Sequence, residues 1–281
     1  MSDRVFLPDR TPAVRRRAAV AGGIILLLVL VALVGPVVYD ADPNTLDLTQ
    51  ATAPPGPAHP LGTDESGRDV LSRLLAGGRV SLAVGFAAVA CSGLLGVTLG
   101  ALAGLGGRRM DTLVMRLTDA MMSIPALFLI ITTLALFGTS VPGLVIAIGA
   151  TSWMGLARLV RAELLSLREQ AFVEAARALG ARPVMLLLRH AMPHLLPSVL
   201  VSVTFGVGTA ILTESALSFI GLGIQPPAAS WGNMLTNAQT YIYSSPWLAV
   251  YPGLLILTTV VAVNVLGDAL RDAAEPRGRM S

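Results

Sequence analysis

The sequence predicts an all-helical, polytopic membrane protein with about six transmembrane helices. Three observations carry this reading. Hydrophobic residues make up 54% of the 281-residue chain and charged ones only 13%, about half the roughly 25% of a soluble domain. The mean hydropathy is +0.71. Apolar runs long enough to cross hydrocarbon, about 20 residues as a helix, recur along the chain, and the arginines between them are sorted by loop.

The first run, 18–38, contains no charge and follows Arg15, Arg16 and Arg17. Its apolar core is longer than that of a cleavable signal, and no clear small-x-small site follows, so it reads as an uncleaved span. An outer loop over 39–80 comes next, with a Pro/Ala linker at 51–60. Further spans are expected at 81–105, 112–137, 143–162, 198–222 and 248–270. The core thus covers 81–270, between a 1–17 tail and a 271–281 tail. Gly96, Gly100 and Gly104 stand four apart in the second span, a spacing that makes a flat helix face for close packing by another helix.

Six spans place both termini on one side. That side receives the arginines of the N-terminal tail, Arg108 and Arg109, the cluster from Arg158 to Arg189, and Arg271, Arg277 and Arg279. The other holds Arg68, Arg73 and Arg79 beside six acidic residues. The arginine-rich side is expected to be cytoplasmic. The basic residues are all arginine. A P-loop needs a lysine on the phosphates, so this is not a standard P-loop ATPase. A net charge of +3 sorted by loop argues against nucleic acid, and the single cysteine, Cys91, excludes an intrachain disulfide.

Between the fourth and fifth spans lies EAARALGARPVMLLLRHAMP, 174–193. Ser166-Leu-Arg-Glu169 fits a capping box, and a helix from there to Leu179 keeps Phe172, Val173, Ala176 and Leu179 near one face. Gly180 suits the left-handed position that ends it, and Pro183 the first turn of a second helix. Two short angled helices over about 166–193 are expected on the cytoplasmic side. The small Ala175 and Ala176 allow close approach by a partner, while Glu174 and Arg177 orient it.

Glu174-Ala175-Ala176, then Gly180, then Met192-Pro193 resembles the signature of bacterial ABC importer permeases, with Met192 where leucine is usual. Two further stretches are similar to the second permease of the dipeptide/oligopeptide/nickel group. One is His59-Pro60-Leu61-Gly62-Thr63-Asp64 with Gly67-Arg68-Asp69 and Ser72-Arg73; the other runs from Glu214 to Gly223 and on through Gln225-Pro226-Pro227, Trp231-Gly232 and Met234-Leu235. The resemblance implies a type I importer permease fold in the bacterial cytoplasmic (inner) membrane. It implies that Glu174, Ala175, Ala176, Arg177, Gly180, Pro183 and Pro193 form coupling helices seated on an ATPase. The implied partners are a second homologous permease, two ABC ATPase subunits that bind ATP and Mg, an extracytoplasmic solute-binding protein and membrane lipid. No cofactor is expected on this chain, which is a transport subunit and not an enzyme. Di- or oligopeptides are the expected cargo, with nickel, glutathione or another small solute as the alternative. A secondary transporter or channel working without ATP is the alternative of another class.

Charges inside spans cost about 2.5–3.5 kcal/mol on insertion scales, so Glu214, Asp119 and Asp268 each need a partner or water. Each is a candidate for lining the passage or for interhelical bonding. Asp119 lies three residues from Arg116, on a shared helix face. His190 and His194 are four apart, but Pro193 intervenes and no third ligand is near in sequence, so a metal is disfavoured. The Pro-Pro and Trp-Gly elements predict a rigid turn and then a short outer helix through Tyr243.

Overall fold

A computed structural model shows the architecture and describes residues 11–170 and 192–274. Eight helices lie in these residues, which contain no strand: α1 (Thr11–Val38), α2 (Val70–Leu105), α3 (Gly107–Met122), α4 (Ala126–Phe137), α5 (Val141–Thr151), α6 (Met154–Arg168), α7 (Met192–Phe219) and α8 (Trp247–Ala274). Helices α1, α2, α7 and α8 are each long and apolar enough to cross a membrane.

Two expected spans are broken. The run at 112–137 is α3 and α4, bent by 94°. The break falls at Ser123-Ile124-Pro125, where proline lacks an N–H and pushes the residue before it out of the helical region. α3 is also amphipathic, carrying Arg108, Arg109, Asp111, Arg116 and Asp119, so it does not continue α4's apolar path. The run at 143–162 is α5 and α6, bent by 41° at Ser152-Trp153. Counting each bent pair as one span brings the total to six.

Other boundaries shift for local reasons. The outer loop ends at Asp69, not at residue 80, because the Asp69 carboxylate accepts from Ser72 N at 2.8 Å and caps α2. At 36 residues, α2 is about 54 Å long and overshoots the hydrocarbon. α7 stops at Phe219, three residues before the expected Leu222. Gly221 has φ +80°, Leu222 N donates to Leu217 O at 2.8 Å and Gly221 N to Ser218 O at 3.1 Å. This is the Schellman pattern, which needs a left-handed residue at that position.

α2 is the organising helix: α1, α3, α5, α6 and α7 all pack on it, and α8 closes the bundle against α1 and α7. The main core joins Val84 and Ala88 of α2, Leu144 of α5, Ile211 of α7 and Val263 of α8. A smaller cluster of Ala101, Leu156, Val160, Leu164 and Leu195 lies where α6 and α7 meet the end of α2.

Candidate functional site

The segment expected to form the coupling helices is bounded by the end of α6 and the start of α7. Glu174, Ala175, Ala176, Arg177, Gly180 and Pro183 lie outside the described residues. Pro193 lies at the beginning of the described part of α7. The Ser166–Glu169 capping box is not formed. Ser166 is inside the last turn of α6, and Glu169 is that helix's C-cap. The helix runs on because Leu156, Val160 and Leu164 keep a four-residue apolar spacing that binds it to α2.

That packing uses the expected glycine face. A Cβ on Gly96 would lie 2.8 Å from Leu156 Cβ; on Gly100, 2.6 Å from Ala157 O and 2.8 Å from Val160 Cβ; on Gly104, 2.8 Å from Leu164 Cβ. Each glycine therefore receives one successive turn of α6. Polar clasps reinforce the stem. Arg168 Nη1 donates to Gly104 O at 2.9 Å, satisfying a carbonyl at the end of α2. The Arg161 guanidinium grips both oxygens of Asp111, with Nη2 2.7 Å from Oδ2. Asp119 pairs with Arg158 of α6 at 2.6 Å, not with Arg116. Both are well exposed, so the pair contributes at most about 1 kcal/mol. The stem that delivers the chain to residue 171 is thus joined to α2 and α3 as one body.

Glu214 occupies the other end of the bundle and is completely buried. Ser81 of α2 donates to its Oε2 at 3.0 Å, and Ser218, one turn on in α7, donates to Oε1 at 2.8 Å. Each serine in turn accepts a backbone N–H from the loop after α7: Trp231 N to Ser81 Oγ at 3.1 Å, Ile224 N to Ser218 Oγ at 3.1 Å. One carboxyl group therefore anchors two hydroxyls, and the hydroxyls hold the loop. Serine fits this role because its oxygen donates and accepts at once. Through Ser81 the Glu214 carboxyl group bonds α7 across to α2. Asp268, by contrast, is exposed on α8.

The loop held by Glu214 folds back as a wedge, with a cis Pro226-Pro227 bond. The Trp231 side chain is 2% exposed and donates Nε1–H to Leu74 O at 3.1 Å. It fits because Gly77 and Gly78 of α2 leave room; a Cβ on Gly78 would lie 3.1 Å from the Trp231 ring. Asn233 stitches the turn, giving Nδ2 to Ile224 O and Ala228 O and receiving Ser230 N on Oδ1. The expected outer helix through Tyr243 is absent. A 3₁₀ turn covers Asn233–Leu235 and turns carry the chain on to α8, because side-chain and loop hydrogen bonds satisfy the backbone in place of a helical ladder.

The loop between α1 and α2 packs beside this wedge. Asp69 caps α2, accepts from Tyr39 Oη at 2.9 Å and lies 2.8 Å from His59 Nδ1. Burial, the hydrogen bond and the Asp69 charge push the Tyr39 phenol up to about 12. Asp64 accepts from Ser66 N, Arg68 N and Arg68 Nε, with Arg73 Nε at 3.4 Å. Thr63 Oγ1 donates to Gln50 O and accepts from Ala53 N. Gly67, at φ +73°, leaves no room for a side chain against Asp47 O. Glu65 accepts from Asn237 at 3.1 Å and ties the two loops together. Sequence reasoning singled out most of this stretch but assigned no roles, and it missed Ser81, Asn233 and the Gly77-Gly78 pair. Their only local signal is small or polar residues inside apolar runs.

The family described as the binding-protein-dependent transport system inner membrane component matches residues 96–280. This chain belongs to that family. The N-terminal transmembrane domain of oligopeptide transport permease C matches residues 14–55, which include most of α1. A Brucella suis biovar 1 protein named as a peptide permease is 40% identical over 270 residues, 95% of this chain and 89% of that protein. The dipeptide transport system permease protein DppC of Alkalihalophilus pseudofirmus is 38% identical over 94% of this chain and 87% of its own length. Among solved structures, an inward-facing conformation of the MetNI methionine ABC transporter superposes with a TM-score of 0.60 at 20% identity, covering 73% of this chain and 97% of that one. At that identity the likeness establishes the fold. This member is therefore a multi-pass inner-membrane permease subunit of an ABC importer.

Proposed function

We propose that this subunit forms half of the passage of an importer for di- or oligopeptides, working by alternating access. The observation that carries the cargo is the pair of relatives named for peptide and dipeptide transport, aligned over 95% and 94% of the chain. A second permease supplies the other half, a solute-binding protein delivers from outside, and two ATPase subunits bind ATP and Mg below. Both termini and the 171–191 segment lie in the cytoplasm, a placement supported by the arginine distribution. Glu174, Ala175, Ala176, Arg177, Gly180 and Pro183 meet the ATPase. Motion received there passes into α6, which the glycine face and the Arg168 clasp hold to α2 and the Arg161 clasp holds to α3. α2 in turn carries Ser81 and the anchored outer loop, so inner and outer ends of the pathway share one long helix. Glu214 serves this assembly by holding α7 and the loop to α2.

The test is purification in mild detergent with identification of co-purifying subunits, followed by uptake of a labelled dipeptide into vesicles loaded with ATP. Glu174→Arg and Gly180→Pro are expected to leave membrane insertion intact and to uncouple ATP hydrolysis from uptake. Unaltered uptake and ATPase activity in both variants would remove the coupling role. ATP-driven uptake of nickel or glutathione with no peptide uptake would replace the cargo.

A further inference from the structure

Pro36 lies inside α1 and has no N–H to give the carbonyl four residues back, Ala32 O. Arg79 of α2 supplies the missing donor: Nε bonds Ala32 O at 2.8 Å and Nη2 bonds Leu33 O at 2.6 Å. Two of the five guanidinium N–H groups are used. Among the described residues no carboxylate pairs with Arg79, and the side chain is exposed. Ala32 and Leu33 lie about 8 Å along the helix from its loop-side end. A cation within a membrane span is held by backbone carbonyls or by an anion, and three N–H groups of Arg79 remain for the latter.

Beside this cation is a cavity of about 310 Å³ between α1, α2 and α8. Ala32, whose carbonyl Arg79 holds, lines it with Gly78, Val31, Leu75, Trp231 and Leu254. Val31 and Leu254 are 45% and 52% exposed, so the mouth opens on the outer surface of the bundle. The lining offers almost nothing for water to bond, since Trp231 Nε1 is already committed to Leu74 O, and an apolar space of this kind excludes water. We infer that this crevice binds an anionic phospholipid of the outer leaflet, one acyl chain entering between α1 and α8 and the phosphate meeting the free N–H groups of Arg79. Charge complementarity selects a lipid over an apolar segment of another protein, because an apolar segment leaves the guanidinium without an anion. The inference rests on the membrane placement of α1, α2 and α8 but not on the cargo.

Trp231 makes the test direct, because it is buried from lipid except through the cavity. The assembled transporter is placed in nanodiscs containing phospholipid brominated on one chain, with either a phosphatidylglycerol or a phosphatidylcholine headgroup. The Trp231 signal is taken as the difference between wild type and Trp231→Phe. Quenching of that signal is expected to be greater with the anionic lipid. Arg79→Gln should lose the headgroup preference, and Arg79→Lys should keep it. Val31→Phe, which fills the mouth, should lose the quenching while leaving thermal stability near wild type. Retention of phosphatidylglycerol in native mass spectrometry, lost in Arg79→Gln, serves as a second measurement where Trp231→Phe fails to assemble. Absence of Trp231 quenching with both lipids, equal quenching with both, or capture of a neighbouring subunit's carboxylate by a crosslinker at position 79 would each overturn the inference. None of these outcomes depends on peptide uptake.

Discussion

Gly100→Ala isolates the joint between α2 and α6. The new methyl would stand 2.6 Å from Ala157 O and 2.8 Å from Val160 Cβ, against the 3.5–4.0 Å of a normal carbon contact. Neither neighbour is the free end of a side chain, so the helices must separate by about 1 Å. Overpacking of this kind costs about 1–3 kcal/mol, and the rigid neighbours place it at the upper end. Replacing a helical glycine returns about 1 kcal/mol, which leaves a net loss of about 2 kcal/mol, a change of roughly 30-fold in the folded-to-unfolded ratio. Gly155→Ala in α6 is the control, because nothing lies within 4 Å of its added carbon; it should be neutral or stabilising by about 0.5–1 kcal/mol. Thermal unfolding of the purified complex in detergent reads the first effect, and the ratio of peptide moved to ATP hydrolysed reads the second. Gly100→Ala should lower both and Gly155→Ala neither. Equal midpoints for the two variants, or a full transport ratio in Gly100→Ala, would show that α6 is not clamped to α2 in the way described.

Ser81→Ala should leave Trp231 N without its partner and Glu214 Oε2 with only the 3.5 Å contact from Ser215 Oγ, costing about 1–3 kcal/mol; amide exchange at Trp231 should speed up by about tenfold, while a tip amide such as Tyr243 stays unchanged. Glu214→Gln keeps the shape and one acceptor, so the complex should assemble with a reduced thermal midpoint. Glu214→Leu strands two buried hydroxyls and should fail to assemble, and normal assembly in Glu214→Leu would remove the anchoring role. The Tyr39 phenol should titrate near 12 instead of 10. Because the folded value is raised, its contribution to stability is fully present below pH 10 and is lost as pH rises through about 12. A phenolate absorbance titration in which Tyr39→Phe leaves the latest-ionising tyrosine in place would refute the Asp69 contact.

The parts legible in the chain were those governed by local composition and short spacing. Apolar runs of about 20 residues report α1, α2, α7 and α8 directly, since lipid demands the same hydrophobicity at every turn. Gly96, Gly100 and Gly104 announced a packing face because four-residue spacing repeats on one side of a helix, although nothing in it named α6 as the occupant. Ser166–Glu169 fitted a cap by spacing alone, and lost to the Leu156–Val160–Leu164 stripe that carries α6 past it. The 94° turn at Pro125 is marked by the proline and by the charges of α3, but the apolar residues interleaved with those charges join α4 in one run of span length.

What the sequence by itself determined is the class of solvent and the number of apolar runs, because each is a sum over neighbouring residues. What only the tertiary structure decided is who meets whom across the bundle. Glu214 finds Ser81 at a separation of 133 positions, Trp231 finds Leu74 at 157, and Arg79 finds the carbonyls freed by Pro36. These pairings arise because a buried polar group must find a partner wherever the packed helices bring one within reach, and no spacing along the chain encodes that distance.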